Sequence, residues 1–337
     1  MTVTPSRKPR QQRIDPAKVR AKTNAKAKAP AKTRRGSKAP DRGPRRASAA
    51  DWIGGARLRT LSVAVAPVAL GTACALLVDY GHLHWLRALA CLAVALCLQI
   101  GVNYANDYSD GVRGTDRYRV GPSRLTGSGA AKPRTVLTVA LVFFGIAAAV
   151  GAVAVVWTGH WWMLAVGAAS IAAAYFYTGG KRPYGYRALG EVAVFVFFGL
   201  AATAGTMYLQ VGTVNLEGWL AGTAAGLIAC AVLMVNNLRD RHQDEQAGKR
   251  TLSVVVGDRV SRILYAVFLL LPYAILGLFA LLYRQTPYVF FTLLVAAPAV
   301  IITATAKTSA ELVLALKLTS LTALLYGLGL AVTLVLV

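Results

Sequence analysis

The sequence predicts an all-α, polytopic membrane protein whose nine helices cross the bilayer as one domain. Three observations lead to this fold class. Apolar residues make up 56% of the chain and charged residues only 15%, a balance outside the range of soluble globular proteins. Apolar runs of bilayer-spanning length recur from residue 60 to the C-terminus. The Lys and Arg residues collect in the N-terminal tail and between alternate runs, as is typical of membrane proteins.

The first fifty residues are predicted to be a disordered basic tail on the cytoplasmic side. Residues 1–50 hold 16 of the 37 Lys and Arg but only two of the 14 Asp and Glu, and they show no apolar periodicity. They therefore carry most of the formal net charge of +23. Such a tail holds the N-terminus inside and rests on anionic lipid, so no specific nucleic-acid partner is expected. Residues 51–337 are predicted to form the membrane domain.

Nine apolar runs are predicted to be the membrane-spanning helices. Each has about the ~20 residues that a helix needs to cross the hydrocarbon core. In chain order they lie near residues 60–78, 86–106, 135–157, 161–178, 188–211, 219–238, 261–283, 286–305 and 312–336.

The charges between the spans predict the orientation of the chain. Loops 107–134, 179–187 and 239–260 are rich in Lys and Arg, whereas the alternate loops carry only Arg87 and Arg284 near span edges. By the positive-inside tendency, the N-terminus and the basic loops are cytoplasmic and the C-terminus is external. We therefore expect an integral protein of the bacterial plasma membrane with its long polar loops at one leaflet.

The first polar motif follows the second predicted span and contains Asn106, Asp107 and Asp110, with Asp116 further on. Asp107 and Asp110 are three residues apart, so a helix that continues this far places both carboxylates on one face. Two like charges beside a membrane are costly unless a cation neutralises them. Because carboxylate and amide oxygens suit Mg²⁺, all four residues are predicted metal ligands. The alternative is an ordinary solvated helix end.

The second polar motif ends the sixth predicted span and contains Asn237, Asp240 and Asp244. The two acids stand at i,i+4 spacing and share a helical face. With the first motif on the same side of the membrane, they are predicted to hold more than one Mg²⁺ around a diphosphate. Asp110, Asp240 and Asp244 are predicted catalytic residues, and Asn106 and Asn237 are predicted substrate contacts.

Basic residues follow each acidic motif. Arg119 and Arg124 follow the first motif, and Lys249 and Arg250 follow the second. A leaving diphosphate gains charge as its C–O bond breaks, so a cation beside it stabilises the transition state more than the ground state. These residues are predicted to bind the diphosphate, with Lys249 acting in catalysis. The alternative is that the cations only fix the topology.

A third loop, residues 175–187, mixes aromatic and basic side chains. Lys181 is a predicted substrate contact. Tyr186 is a predicted neighbour of the acceptor, because aromatic faces stabilise nearby cations. The alternative is that these tyrosines only occupy the membrane interface.

Taken together, the motifs resemble the UbiA superfamily of intramembrane prenyltransferases, and in particular its 1,4-dihydroxy-2-naphthoate polyprenyltransferase branch. The resemblance covers about residues 52–337 and rests on the stretches Asn106–Asp116, Arg119–Arg124, Asp240–Asp244 and Gly248–Leu252. The last Asp of the first motif, Asp116, arrives two positions later than in the commoner superfamily pattern. That departure is also similar to the dihydroxynaphthoate branch.

The resemblance implies a UbiA-like bundle with a lipid-open cavity and a Mg²⁺-assisted reaction. A polyprenyl diphosphate would ionise, and the ring of 1,4-dihydroxy-2-naphthoate would attack the allylic carbon and lose its carboxylate as CO₂, giving a demethylmenaquinone. Transfer to 4-hydroxybenzoate, homogentisate or a phosphoribosyl sugar stays open as an alternative. So does transport of an anionic lipid, although transport sites usually lie at the bilayer midplane and these charges lie at helix ends.

Overall fold

A computed structural model describes residues 46–115 and 124–336, and their regular structure is helical throughout. The helices are α1 (Ala49–Ala56), α2 (Ser62–Val78), α3 (Trp85–Arg113), α4 (Pro133–Thr158), α5 (Met163–Phe176), α6 (Gly190–Val211), α7 (Leu216–Gln246), α8 (Leu252–Leu282), α9 (Thr286–Thr305) and α10 (Ser309–Val335). Within these residues no strand forms, and Arg187 and Arg250 make an isolated bridge. The all-α prediction is therefore confirmed for the part of the chain that is described.

The prediction of nine spans is not confirmed. Among the described residues, seven helices are long and apolar enough to cross a membrane, and an eighth span results if the bent pair of α1 and α2 counts as one. The predicted span near 161–178 is the 14-residue helix α5, which at ~1.5 Å per residue is shorter than the ~30 Å hydrocarbon core. The prediction was too long because Trp161 and Tyr177, although apolar enough to extend the run, lie in turns.

Helix α1 was not predicted, because it lies entirely before the first predicted apolar run, which begins near residue 60. It begins after Ser48, whose hydroxyl accepts a hydrogen bond from the Asp51 amide while the Asp51 carboxylate accepts one from the Ser48 amide. Ser48 is among the last five residues of the predicted 1–50 tail, and residues 1–45 lie outside the described part. The chain then bends by 48° into α2.

Helix α3 holds this bent segment through two polar side chains. The Asn103 amide donates to the carbonyl of Ala56 at 2.9 Å, and the Tyr104 hydroxyl donates to the carbonyl of Trp52 at 2.6 Å. The first bond satisfies the Ala56 carbonyl, one of the four that the end of α1 leaves without a partner in the helix. The bend therefore lies beside the polar half of α3.

Helix α7 is the most deeply packed of the candidate spans, with 72% of its most apolar window buried. Small residues let α6 approach it closely. A Cβ added to Gly199 would lie only 2.4 Å from the Cα of Gly226. Gly199 belongs to a π-helical segment of α6, Phe195–Ala201. A second contact joins the start of α6 to the polar half of α7, where the Asn237 amide donates to the Glu191 carboxylate at 3.2 Å.

Candidate active site

The two acidic motifs, which are distant in sequence, meet where α3 and α7 end. Lys249 Nζ lies 3.7 Å from a carboxylate oxygen of Asp110 and 3.7 Å from one of Asp244. Asp110 is 2% exposed and Asp244 is 5% exposed. One ammonium group therefore bridges two buried carboxylates from different helices.

The end of α7 places Lys249 at this position. Gly248 adopts a left-handed backbone with φ +71°, a conformation that glycine reaches without the steric cost other residues meet. The chain then turns back, and the Lys249 amide donates to the Asp244 carbonyl at 2.7 Å. Gly248 thus ends the helix, and the turn that follows places the Lys249 side chain beside the acidic residues.

Asp110 accepts from two further groups. Arg124 Nη1 lies 2.6 Å from its Oδ2, and the Tyr186 hydroxyl donates to its Oδ1 at 2.6 Å. Burial and the nearby Asp110 carboxylate raise the pKa of the Tyr186 phenol, so Tyr186 keeps its proton and remains a donor. The Tyr186 ring also lies 5.1 Å from Lys249 Nζ. Tyr186, predicted as a neighbour of the acceptor, therefore contacts Asp110 and Lys249 directly.

Asp240 is paired with Arg239, a residue that was not among the predicted site residues. Two guanidinium nitrogens of Arg239 donate to the two Asp240 oxygens at 2.7 and 2.6 Å, and one also donates to Asn236 at 2.9 Å. The sequence contains a sign of this pair. A charged arginine in an apolar helix is energetically unfavourable unless an acidic side chain pairs with it, and Asp240 is the next residue. Arg239 was missed because its charge was counted only as evidence for the orientation of the loop.

The first two residues of the first motif contact protein groups. Asp107 accepts from the amides of Leu125 and Thr126 at 3.0 and 2.8 Å, and Asn106 Oδ1 accepts from the Thr178 hydroxyl at 2.7 Å. Asp107 therefore fixes the turn that carries Arg124. Thr178 belongs to the third loop but was not predicted to be part of the site.

Two other predicted site residues, Lys181 and Arg250, are exposed, whereas Asn237 is buried and lines the cavity described below. The Arg250 backbone carbonyl accepts from the Ala188 amide at 2.8 Å, which ties the third loop to the start of α8. Asp116 and Arg119 lie outside the described residues.

A cavity of about 950 Å³ adjoins this cluster and continues among α2, α3, α4, α5 and α6. Most of its wall is apolar, and Tyr177, Tyr184, Phe197 and Phe198 contribute aromatic rings. Its polar end is formed by Asn106, Asp110, Arg124, Asn236, Arg239 and Lys249. The cavity can therefore receive a molecule with an anionic head and a long apolar body.

The charge balance of the cluster bears on whether a metal fits. Asp110 pairs with Arg124, Asp240 pairs with Arg239, and Lys249 lies between Asp110 and Asp244. Three carboxylates and three cations leave this set neutral, so a bound diphosphate would need additional positive charge. Among the described residues, no group of three or more His, Cys, Asp or Glu is arranged to hold a metal ion. The oxygens of Asp110 and Asp244 nevertheless suit Mg²⁺, which takes few protein ligands and binds together with substrate phosphates.

Comparison with known sequences gives a consistent set of matches. A profile described as the UbiA prenyltransferase family matches residues 64–321. The chain is 51% identical over 222 residues to a Mycobacterium tuberculosis protein named 1,4-dihydroxy-2-naphthoate octaprenyltransferase, covering 65% of this chain and 74% of that protein. It is 40% identical over 236 residues to the Escherichia coli protein of the same name, covering 68% of this chain and 76% of that one.

Solved structures share the fold at low sequence identity. An apo UbiA homolog from Aeropyrum pernix K1 superposes with a TM-score of 0.60 at 16% identity, covering 80% of this chain and 97% of that one. A UbiA homolog from Archaeoglobus fulgidus, described as bound to DMAPP and Mg²⁺, gives a TM-score of 0.57 at 15% identity, covering 82% and 97%. The resemblance drawn from the motifs is confirmed by the family profile and by the two named relatives, and the solved structures confirm the fold.

Proposed function

Because this chain belongs to the UbiA prenyltransferase family, and is thus an integral membrane prenyltransferase, we propose that it transfers a polyprenyl group to 1,4-dihydroxy-2-naphthoate. The ring would lose its carboxylate as CO₂ and give a demethylmenaquinol, because the transfer involves no oxidant. The observation that carries the proposal is the cluster of Asp110, Asp244 and Lys249 beside the polar end of a large apolar cavity. The names of the mycobacterial and enterobacterial relatives supply the acceptor.

The diphosphate head binds at the polar end of the cavity. Lys249 and Arg124 line this end, and each is held by a carboxylate that a bound metal would engage. When Mg²⁺ is bound by Asp110, Asp240 and Asp244, it supplies the positive charge that lets anionic phosphates approach these carboxylates. The Archaeoglobus homolog, described as bound to Mg²⁺ together with a prenyl diphosphate, supports this assignment. Lys249 and Arg124 would then contact the phosphate oxygens.

The reaction breaks the allylic C–O bond and the bond between the ring and its carboxylate, and it forms one new C–C bond. CO₂ leaves without the bonding electron pair, which restores the aromatic ring. The diphosphate leaves with the bonding electron pair, and Lys249 and Arg124 stabilise its growing negative charge. The rings of Tyr177, Tyr184 and Phe198 line the wall near this end, where aromatic faces stabilise an allylic cation and exclude water. The electron-rich acceptor ring then bonds to the allylic carbon.

A panel of acceptors tests the proposal. Purified protein is incubated with Mg²⁺, octaprenyl diphosphate and either 1,4-dihydroxy-2-naphthoate, 4-hydroxybenzoate or homogentisate, and prenylated products are identified by mass spectrometry. We expect product from the naphthoate, accompanied by release of CO₂ and diphosphate in equal amounts. Product from 4-hydroxybenzoate or homogentisate alone would overturn the assignment of the acceptor.

We also propose that the chain resides in the bacterial plasma membrane with this site on the cytoplasmic side. The support is the collection of Lys and Arg in the loops that build the site, which follows the positive-inside tendency. Lys181→Cys and Arg284→Cys are compared in a variant without the four native cysteines. In intact cells an impermeant thiol reagent is expected to label only the cysteine at 284. Labelling of only the cysteine at 181 would reverse the orientation.

A further inference from the structure

The third loop, residues 175–187, lies along the helix that carries the first acidic motif. Three side chains on α3 bind this loop, and their spacing of four and three residues places them on one helical face. They are Asn106, Asp110 and Arg113. Asn106 Oδ1 accepts from the Thr178 hydroxyl at 2.7 Å, and the Arg113 guanidinium donates to the Gly180 carbonyl. The loop is therefore bound to the face of α3 that presents Asp110 to the cavity.

The backbone of the loop is also held in place just before Tyr186. The Gly185 amide donates to the Tyr177 carbonyl at 2.9 Å. A Cβ on Gly185 would lie only 2.7 Å from that carbonyl oxygen, so glycine allows the two backbones to approach this closely. The Tyr184 hydroxyl donates to the Ala173 carbonyl at 2.7 Å and fixes the same turn on its other side. Tyr186 therefore follows a turn that is held by hydrogen bonds.

Tyr186 connects the two acidic motifs. Its hydroxyl donates to Asp110 Oδ1 at 2.6 Å, and its ring lies 5.1 Å from Lys249 Nζ. Beyond it in the chain, the Ala188 amide donates to the Arg250 carbonyl at 2.8 Å. The backbones that carry Tyr186 and Lys249 are thus bonded to each other close to both side chains, which keeps the ring beside the ammonium group.

The two oxygens of Asp110 have different kinds of partner. Oδ1 accepts from the neutral Tyr186 phenol, whereas Oδ2 lies 2.6 Å from Arg124 Nη1 and 3.7 Å from Lys249 Nζ. In the proposed function both cations would contact the diphosphate, so Oδ2 would become available to a metal. Oδ1 can keep its phenol donor throughout. A hydrogen bond to one oxygen of a carboxylate fixes the direction in which the other oxygen meets a metal.

Tyr186 acts on the wall of the cavity from behind. Asp110 and Lys249 both line the cavity, but Tyr186 is not among the described residues that do. A molecule in the cavity therefore meets the carboxylate and the ammonium group, and Tyr186 affects it only through them. This position does not match the predicted contact between Tyr186 and the acceptor.

We propose that Tyr186 is a positioning residue, whose hydroxyl orients Asp110 so that Oδ2 faces the metal and whose ring holds Lys249 in place for the diphosphate. The inference rests on the proposed function, since it takes Asp110 to be a metal ligand. The hydroxyl and the ring have separate tasks. Removing the hydroxyl impairs use of the metal, and removing the ring as well impairs contact with the diphosphate.

Tyr186→Phe tests the task of the hydroxyl. Its control is Tyr175→Phe, which removes a hydroxyl from the same loop at a position that does not line the cavity. Binding of a non-reactive polyprenyl thiolodiphosphate is measured by calorimetry across a Mg²⁺ titration, without any acceptor. We expect Tyr186→Phe to raise the Mg²⁺ concentration for half-maximal binding about tenfold, because a hydrogen bond to a charged ligand is lost. Affinity at saturating Mg²⁺ is expected to stay near that of the wild type, and Tyr175→Phe is expected to leave both quantities unchanged.

Tyr186→Leu tests the task of the ring. It is expected to raise the Mg²⁺ requirement as Tyr186→Phe does. In addition, it is expected to weaken the thiolodiphosphate about fivefold at saturating Mg²⁺, because the ring contact with Lys249 is lost. The melting temperature of every variant is measured in detergent, since a merely structural role would lower it without changing the Mg²⁺ requirement of the folded protein.

Two results would overturn the role of Tyr186. One is an unchanged Mg²⁺ requirement in folded Tyr186→Phe, and the other is an equal shift in Tyr175→Phe. Because no acceptor is present, the proposed reaction is judged separately. A protein that shows the expected shift but does not prenylate the naphthoate would refute only the proposed reaction. A protein that prenylates the naphthoate but shows no shift would refute only the role of Tyr186.

Discussion

Replacing Asp110, Asp240 or Asp244 with Asn is expected to lower turnover of polyprenyl diphosphate by roughly 10²- to 10³-fold. Each change keeps the shape of the side chain and removes the negative charge that a divalent cation needs. All three carboxylates are buried beside a cation in the cluster, so the loss affects the site that receives the diphosphate. Turnover is measured with purified protein across a Mg²⁺ titration.

Glu245→Gln is the matched control for Asp244→Asn. Glu245 is exposed on the same helix one residue further on, so its loss removes an equal charge outside the cluster. We expect near wild-type turnover from it. The melting temperature of each variant is measured in detergent, because a variant that lost only the site keeps the wild-type melting temperature. Near-normal turnover of both Asp240→Asn and Asp244→Asn would exclude the two-motif mechanism.

Lys249→Met is expected to weaken use of the diphosphate more than binding of the acceptor. Its ammonium lies between Asp110 and Asp244 at the polar end of the cavity, and methionine keeps the apolar stem while removing the charge. Loss of one charge-assisted contact costs about 1.5–3 kcal/mol, which is tenfold or more in rate or affinity. The measurement is kcat/KM for each substrate.

Arg250→Met serves as the control, because the neighbouring Arg250 side chain is exposed and its backbone carbonyl alone is tied to the third loop. From the sequence, both residues were predicted to bind the diphosphate, and only Lys249 was predicted to act in catalysis. Equal and large effects of both substitutions on the diphosphate would show that Arg250 also reaches the substrate. Wild-type kinetics in Lys249→Met would contradict the prediction and would mean that Lys249 serves only to fix the membrane topology.

The sequence was most informative where a local pattern has one physical meaning. Acidic residues at i,i+3 and i,i+4 spacing at the ends of apolar runs predicted Asp110, Asp240 and Asp244 as a cluster, and the structure brings Asp110 and Asp244 to one ammonium group. The glycine before Lys249 could have been interpreted as a helix stop, because the left-handed conformation at a helix end favours glycine.

Other features depend on contacts that no local pattern encodes. The turn that binds Asp107 begins 18 residues later in the chain, so its two backbone hydrogen bonds could not be deduced from the spacing of the acids. The predicted length of α5 was wrong for a related reason, because hydropathy does not distinguish an apolar turn from an apolar helix. The metal role of Asp107 remains a prediction, as do those of Asn106 and Asp116.

The neutral pairing of the cluster suggests how the site changes when substrate binds. Without a ligand, Arg124 and Lys249 neutralise Asp110 and Asp244, which prevents the high cost of isolated buried charges. In the proposed function, Asp110 and Asp244 would hold the metal while Arg124 and Lys249 would contact the phosphates, so these ion pairs would be exchanged. Binding of either one alone would leave charges of one sign in excess, so the two are expected to bind cooperatively.

This cooperativity gives the most direct test of the central claim that the two acidic motifs and Lys249 form one diphosphate site. Affinity for a non-reactive polyprenyl thiolodiphosphate is measured by calorimetry in excess Mg²⁺ and in EDTA, for wild type, Asp244→Asn and Glu245→Gln. We predict tight binding that requires Mg²⁺ in wild type and Glu245→Gln, and a loss of that Mg²⁺ dependence in Asp244→Asn. Equal affinity of the wild type with Mg²⁺ and with EDTA would contradict the claim.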